Sequence, residues 1–156
     1  MSARFTYNSE GEARPHVHPL RTPSGFTLTR NAPEDHPWHH ALWFTIKFVD
    51  GDNFWEELSP FGLLHQRDDH HLDWVRPDGH LALREERVLT EVDLGDDAWA
   101  LDWSTVLEAP EAVVLDRTPF TTWGGYGGLS LRGSAEWTDT RLLLSDGTSK
   151  RRITGT

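Results

Sequence analysis

The residues best suited to chemistry are histidines, and several of the nine in the chain lie close together near its beginning. Two of them, His16 and His18, belong to segment 14–19, whose prolines favour an extended backbone. In an extended chain, side chains two residues apart project from the same face. The spacing therefore predicts that both imidazoles face a common site. Arg14, in the same segment, is a candidate substrate-binding residue.

The other histidines of this group follow an acidic residue and flank a proline. Pro37 suits the first turn of a helix, and Asp35 or His36 suits the cap that precedes it. Side chains three and four residues apart share one side of a helix. A helical turn here would therefore bring His36 to the same side as His39 and His40.

Imidazole and carboxylate groups at these spacings could hold a divalent metal ion, since Zn²⁺, Mn²⁺ and Fe²⁺ accept both kinds of ligand. The candidate metal ligands are His16, His18, Asp35, His36, His39 and His40, with Glu34 as a second possible carboxylate. Neutral imidazole also suits general acid–base catalysis, and the candidates for this role are His16, His18, His36 and His39. No H-E-x-x-H motif is present, so both roles stay open. A structural role, in which the imidazoles hydrogen-bond loop backbone, is the third interpretation.

A glycine-rich segment, 121–132, contains the other candidate substrate-binding residues. Its glycines permit close approach of a ligand to the backbone, and Trp123 and Tyr126 offer flat faces on which a sugar could pack. Arg132 could donate hydrogen bonds to a carboxylate, phosphate or hydroxyl. The Gly-Lys-Ser/Thr ending of a phosphate loop is absent. A glycine-rich bulge with core aromatic residues explains the same pattern equally well.

Two further polar groups have plainer interpretations. Glu56 and Glu57, in a predicted strand over residues 54–58, could face a pocket, although carboxylates are common on exposed strands. The histidines and aspartates of segment 65–73 form a charged run between two strand candidates, which indicates a solvated turn.

Strands must position these candidates, because short apolar runs alternate with turn signals along the chain. Alternating apolar residues from position 99 to 107 predict a half-buried strand, and a change of phase near Glu85 and Glu86 predicts a bulge or bend. Three Asp-Gly pairs that separate apolar runs predict hairpins; they are Asp50-Gly51, Asp78-Gly79 and Asp146-Gly147. We expect an all-β fold, an antiparallel β-sandwich of meander hairpins, in a single domain over residues 1–156.

The composition excludes several classes of partner. The formal net charge is -10, and an acidic surface repels the phosphates of nucleic acids and of anionic membranes. The chain has no cysteine, which excludes disulfides, thiolate nucleophiles and cysteine-type zinc sites. Segment 1–31 contains no stretch like a signal peptide and no segment is apolar enough to span a membrane, so a cytoplasmic protein is expected. The last predicted hairpin leaves a sheet edge that a homo-oligomer or a second chain could cover.

Several of these segments together resemble a bacterial family labelled "methane oxygenase PmoA-like". Segment 14–19 matches its R-P-x-x-H-P segment, segment 35–43 its D-H-P-x-H-x-x-L-W motif, and Phe54-Trp55 the F-W pair that follows. Segments 101–103 and 124–132 are similar to its later part. The resemblance implies a galactose-mutarotase-like β-sandwich and a role in carbohydrate metabolism. Members of that family are usually much longer, which implies that this chain is a short or truncated version.

These observations favour a carbohydrate-active protein that acts on a sugar or sugar derivative at a pocket rich in histidine and tryptophan. The alternative is a non-catalytic carbohydrate-binding or accessory subunit whose histidines are structural. Whether the protein is an enzyme, and whether it uses Zn²⁺, Mn²⁺ or Fe²⁺, stays open at this point.

Overall fold

The computed structural model describes residues 3–117 and 127–150. All regular secondary structure in these two ranges is β-strand, and the strands pair in antiparallel fashion. No helix that could cross a membrane occurs within them. The expected all-β class is confirmed. The strands are β1 (Phe5–Asn8), β2 (His16–Leu20), β3 (Leu42–Ile46), β4 (Phe48–Val49), β5 (Asp52–Asn53), β6 (Leu63–Gln66), β7 (His71–Val75), β8 (Leu81–Asp93), β9 (Trp99–Glu108), β10 (Leu115–Asp116), β11 (Gly127–Leu131), β12 (Leu142–Leu143) and β13 (Ser149–Lys150).

Two four-stranded sheets organise the described part of the chain. The first sheet has the strand order β1-β2-β3-β11, and the second has the order β6-β7-β8-β9. The second sheet is a meander of consecutive hairpins, as the sequence predicts. The first sheet takes its last strand, β11, from much later in the chain, and β11 pairs with β3 along its whole length. Smaller sheets are formed by β10-β4-β5 and by β12-β13.

Each of the three Asp-Gly turns joins two paired strands, which confirms the three predicted hairpins. The turns join β4 to β5, β7 to β8 and β12 to β13. In the second of them Gly79 has a φ of +88°, a conformation that glycine adopts at little cost. The Asp78 carboxylate accepts a hydrogen bond from the backbone N–H of His80 at 2.9 Å, which closes the turn. These hairpins are therefore encoded locally.

The two large sheets pack against each other around a tryptophan. Phe44 of β3 contacts Trp74 of β7 with ring centroids 6.3 Å apart, and Phe54 lies 5.4 Å from the same ring. Trp74 is fully buried, and a ring of this size contributes a large share of the apolar area removed from water. The buried core cluster consists of Val49, Phe54, Leu64, Leu72, Trp74, Ala82 and Leu83.

Strand β8 shows where the sequence pattern misleads. The bulge expected near Glu85 and Glu86 instead lies at the start of β8: Trp74 pairs with Leu83 and Val75 with Leu81, which leaves Ala82 unpaired. The ladder between β8 and β9 is continuous through both glutamates. The apparent change of phase arises because Glu85 points inward, where its side chain is fully buried.

Glu85 forms a buried ion pair with Arg87, which we call the inter-sheet ion pair. Arg87 donates from Nε and Nη2 to the carboxylate of Glu85 at 2.7 and 2.9 Å. Its Nη1 donates to the Tyr7 hydroxyl and the Pro15 carbonyl, and Nη2 also donates to the Phe44 carbonyl. All of these acceptors except Glu85 belong to the first sheet or adjoin it. The pair therefore connects the two sheets.

The carboxylate of Glu85 has further donors on its own sheet. Trp74 donates from Nε1 at 2.9 Å, and the Thr105 hydroxyl donates at 3.2 Å. Together with the two bonds from Arg87, the two oxygens accept four hydrogen bonds, which uses the acceptor capacity of a carboxylate fully.

The opposite side of the first sheet is also covered. Because side chains alternate along a strand, Phe44 points to the core while Trp43, Thr45 and the following Lys47 point away from it. All three are buried. Lys47 contacts the carboxylate of Glu56, so segment 53–57 lies over this side of the sheet. The candidate site is formed between this side of the first sheet and segment 53–57.

Candidate functional site

The chain between β2 and β3 brings the second histidine group back over the first sheet in two successive turns. The N–H of His36 donates to the carbonyl of Pro33, and that of His39 to the carbonyl of His36, each at 3.0 Å. The expected helical turn is not formed, because His40 continues into an extended bridge with Asn31. His36 and His39 lie side by side as expected, whereas His40 is buried elsewhere.

Four residues near the surface form what we call the outer histidine cluster: Asp35, His36, His39 and Arg132. Arg132 Nη2 donates to Asp35 Oδ2 at 2.6 Å, and His36 Nδ1 lies 2.9 Å from the same oxygen. The rings of His36 and His39 stack with centroids 4.6 Å apart. Arg132 reaches this position because β11 pairs with β3, and its N–H donates to the Ala41 carbonyl. The side chain predicted to contact a ligand therefore also holds Asp35.

The protonation states of this cluster follow from its contacts. Hydrogen bonds from His36 and Arg132 lower the pKa of Asp35 to about 2, so it is a carboxylate at neutral pH. Burial lowers the pKa of His39 to about 4, and the nearby His36 and Arg132 add to this effect. His39 is therefore a neutral imidazole near pH 7. Because Asp35 can only accept, neutral His36 carries its proton on Nδ1 and its lone pair on Nε2.

Beneath this cluster lies a second group, the inner histidine cluster, formed by Glu12, His16, His40 and Glu57. The rings of His16 and His40 are 5.0 Å apart. His40 Nε2 lies 2.5 Å from Glu57 Oε1, and Glu12 Oε2 lies 4.0 Å from His16 Nδ1. One potential ligand atom from each of Glu12, His16 and His40 lies within 4.8 Å of the other two. Both imidazoles are buried.

The hydrogen bonds of the inner cluster fix which nitrogen of each imidazole carries a proton. His16 Nδ1 donates to the Arg14 carbonyl at 2.9 Å, since that oxygen can only accept. Burial opposes ionisation of Glu57, but the bonds to His40 and the charge of Arg14 outweigh it and lower its pKa. Glu57 therefore accepts the Nε2–H of His40. In the neutral form of each ring, the nitrogen left over, Nε2 of His16 or Nδ1 of His40, carries the lone pair.

The cluster is unusual because polar atoms buried around it lack hydrogen bonds. Arg14 is fully buried and donates from Nη1 to the carbonyls of Ala13 and Gly62, but its Nε and Nη2 have no partner among the described residues. The same holds for His40 Nδ1 and Trp43 Nε1. Burial lowers the pKa of Arg14 to about 10, and it remains a cation at neutral pH. Buried donors and acceptors without partners are costly, and in folded proteins they occur where water, an ion or another bound group completes the hydrogen bonding.

Trp43 connects the two clusters. It lies directly opposite His16 in the ladder between β2 and β3, so both side chains project from one face. Its ring is 5.4 Å from that of His39 and 5.3 Å from that of Trp55. The outer cluster, the tryptophans and the inner cluster therefore form one continuous site.

A cavity of about 520 Å³ opens on the other flank of the inner cluster. Segments 9–13 and 63–66 line it, and Glu12 belongs to its wall. This volume is in the range of small-molecule sites. Glu12 therefore lies between solvent and the two buried imidazoles.

The structure separates some residues that the sequence grouped together. His18 Nδ1 lies 2.9 Å from the Thr29 hydroxyl, which also accepts the Leu20 N–H, so His18 joins β2 to the following loop. This contact agrees with the structural interpretation of that histidine. Trp123 and Tyr126 lie outside the described residues. The charged segment 65–73 contains an exposed turn, as expected.

Two carboxylates of the inner cluster had little or no signal in the sequence. Glu57 lies outside any strand, contrary to the predicted strand over 54–58, because Asn53 Oδ1 accepts the N–H groups of Trp55 and Glu56 and bends the chain. This bend turns Glu57 toward His40. Glu12 belongs to a polar turn before β2 and had no distinguishing signal.

The fold and the site define an all-β protein with a layered histidine–carboxylate site on one face of a four-stranded sheet. Residues 2–156 match a family of unknown function, DUF6807, and the chain belongs to this family. Neither a curated protein nor a solved structure matches it.

Proposed function

We propose that the protein is carbohydrate-active and acts on a sugar or sugar derivative at the outer histidine cluster. The observation that supports this most directly is the hydrogen-bonded series Arg132–Asp35–His36, in which a carboxylate orients an accessible imidazole. The neutral ring of His39 stacks on that imidazole. The resemblance to the PmoA-like family favours the same class of substrate.

The chemistry available here is proton transfer at a hydroxyl group or an acidic carbon. Asp35 holds His36 in one tautomer, so Nε2 of His36 is the base, and the resulting imidazolium is stabilised by the adjacent carboxylate. His39 is a neutral partner that can donate or accept. The Trp38 ring lies edge-on to His36 at 5.7 Å, and it is only half-buried. Such a ring can pack against the C–H face of a sugar.

A second candidate is a non-catalytic sugar-binding or accessory protein, with histidines that stabilise loops. Two contacts favour this second candidate: His16 hydrogen-bonds the Arg14 carbonyl, and His18 hydrogen-bonds the Thr29 hydroxyl. In both, the imidazole stabilises a neighbouring segment of the chain. In this case a partner or a second copy of the chain would cover an exposed sheet edge.

A panel of mono- and disaccharides, assayed for binding by calorimetry and for turnover, tests the proposal. We expect His36→Ala with His39→Ala to reduce turnover by about 10²-fold or more, the usual contribution of acid–base catalysis. The matched control is His80→Ala, because His80 is also paired with an aspartate, Asp78, but lies in the β7–β8 turn. The control should leave turnover unchanged.

The outcomes separate the two candidates. Sugar binding without turnover, unaffected by the double histidine variant, would support the binding protein and contradict catalysis. If native protein binds no sugar of the panel, the proposal of a carbohydrate-active protein fails.

A further inference from the structure

We infer that the inner histidine cluster binds a divalent transition-metal ion through His16, His40 and Glu12. The inference goes beyond the proposed function, because it needs no sugar and rests on different residues. Two buried imidazoles and one carboxylate provide a donor set that first-row transition metals use with open coordination positions.

The distances allow such a site with little movement. Metal–ligand bonds of about 2.0–2.2 Å require ligand atoms roughly 3–4 Å apart. One ring nitrogen of each imidazole and one carboxylate oxygen of Glu12 already lie within 4.8 Å of one another. The Glu12 oxygen is 4.0 Å from Nδ1 of His16, so coordination through Nε2 of His16 relies on movement of the Glu12 side chain. The side chain of Glu12 is 36% exposed, so it can move toward the two imidazoles without disturbing the core.

The surroundings of both imidazoles match those of metal ligands. A ligating histidine usually donates its other ring N–H to a carboxylate or a backbone carbonyl, which fixes its orientation. His40 donates to Glu57, and His16 donates to the Arg14 carbonyl. In the neutral form of each ring, the nitrogen left over carries the lone pair and is free to bind a metal. For His40 this is Nδ1, a buried atom with no hydrogen-bond partner in the described ranges.

A metal ion would resolve an energetic conflict in the cluster. A buried nitrogen atom without a hydrogen-bond partner costs free energy, and among the described residues Nδ1 of His40 is such an atom. Mg²⁺ and Ca²⁺ prefer oxygen ligands, so the two nitrogens favour Zn²⁺ or Fe²⁺. Of the three proposed ligands, Glu12 lines the cavity that opens to solvent.

Metal titration of chelator-treated protein tests the inference without any sugar. Zn²⁺ is added in a calorimeter, and Co²⁺ binding is followed by visible absorption, which reports nitrogen coordination. We expect about one equivalent to bind. Glu57→Gln should weaken binding by about 10–100-fold, the usual effect of losing a group that orients a ligand. Glu12→Gln, His16→Ala and His40→Ala should weaken it at least as much.

Controls make both outcomes informative. His71→Ala removes an exposed histidine paired with Asp68 and should leave binding unchanged. Glu12 is partly exposed, so Glu12→Gln should fold even if a buried histidine variant does not. Absence of stoichiometric binding, or binding unaffected by Glu12→Gln and Glu57→Gln, would overturn the inference. The sugar experiments on His36 and His39 are separate, so either idea can fail alone.

Discussion

Two buried arginines on opposite sides of the same sheet have opposite hydrogen-bonding situations. Arg87, between the two large sheets, donates from each of its three nitrogens to Glu85, Tyr7, Pro15 and Phe44. Arg14, beside the inner histidine cluster, is at least as buried, but among the described residues it finds acceptors only for Nη1. Both side chains are removed from water on folding, and within that part of the chain only Arg87 has a hydrogen-bond acceptor for each of its nitrogens.

The difference distinguishes a structural polar group from a functional one. A fully satisfied buried network specifies how two sheets pack and needs no ligand. A partly satisfied one reduces stability, and proteins tolerate this chiefly at functional sites. The unpaired atoms of Arg14, His40 and Trp43 all occur around the histidine clusters. We therefore interpret the inter-sheet ion pair as structural and propose the two histidine clusters as the functional site.

Removing the carboxylate of the inter-sheet ion pair should have the largest effect on stability. Glu85→Ala leaves Arg87 buried and uncompensated, and breaking such a pair costs about 3–5 kcal/mol. The free energy of unfolding in urea measures this change. Glu86→Ala, at the adjacent exposed position, should stay within about 0.5 kcal/mol of the native value. A loss below about 1 kcal/mol for Glu85→Ala would contradict a structural role for the pair.

The sequence predicts part of the fold around the inter-sheet ion pair. The Asp-Gly hairpins and the alternation in β9 are local, so composition and period were enough to predict them. Glu85 and Arg87 break the apolar pattern of β8, and a sequence cannot distinguish buried ion pairs from a bulge. Their partners Tyr7 and Phe44 are distant in the chain, and such contacts depend on how the sheets pack.

The sequence predicts less of the two histidine clusters. The histidine spacing correctly brings His36 next to His39, since two tight turns place them together much as a helical turn would. It does not show that His40 turns inward to Glu57, because that contact depends on the bend at Asn53. Nor does it place Arg132 beside Asp35, which requires the pairing of β11 with β3.

A matched pair of tryptophan variants tests the same contrast between satisfied and unsatisfied buried groups. The expected difference in the free energy of unfolding is smaller than that for Glu85→Ala. Trp74 donates its Nε1–H to Glu85, whereas Trp43 Nε1 has no acceptor within residues 3–117 and 127–150. Both rings are buried, so Trp→Phe removes a similar volume at each position. Trp74→Phe should cost about 1.5–3 kcal/mol more than Trp43→Phe, the value of a hydrogen bond to a charged group. Equal losses in urea unfolding would mean that the two environments do not differ as described.

The smallest expected effect is the alkaline titration of Tyr7, whose hydroxyl accepts a hydrogen bond from Arg87 and donates one to Gln66. Burial raises the pKa of Tyr7 above 10.0, although Arg87 opposes the shift. Because the folded state holds this proton more tightly, its contribution to stability is complete below the unfolded pKa and is lost as the pH rises through the folded pKa. Native protein should therefore lose more stability than Tyr7→Phe as the pH rises above about 10, measured by urea unfolding. Difference absorbance near the phenolate band should show one late-titrating tyrosine that is missing in the variant. If both proteins lose stability equally, the Tyr7 hydroxyl does not contribute to the hydrogen-bond network of Arg87 and Glu85. The contrast between that network and the histidine clusters would then not extend to Tyr7.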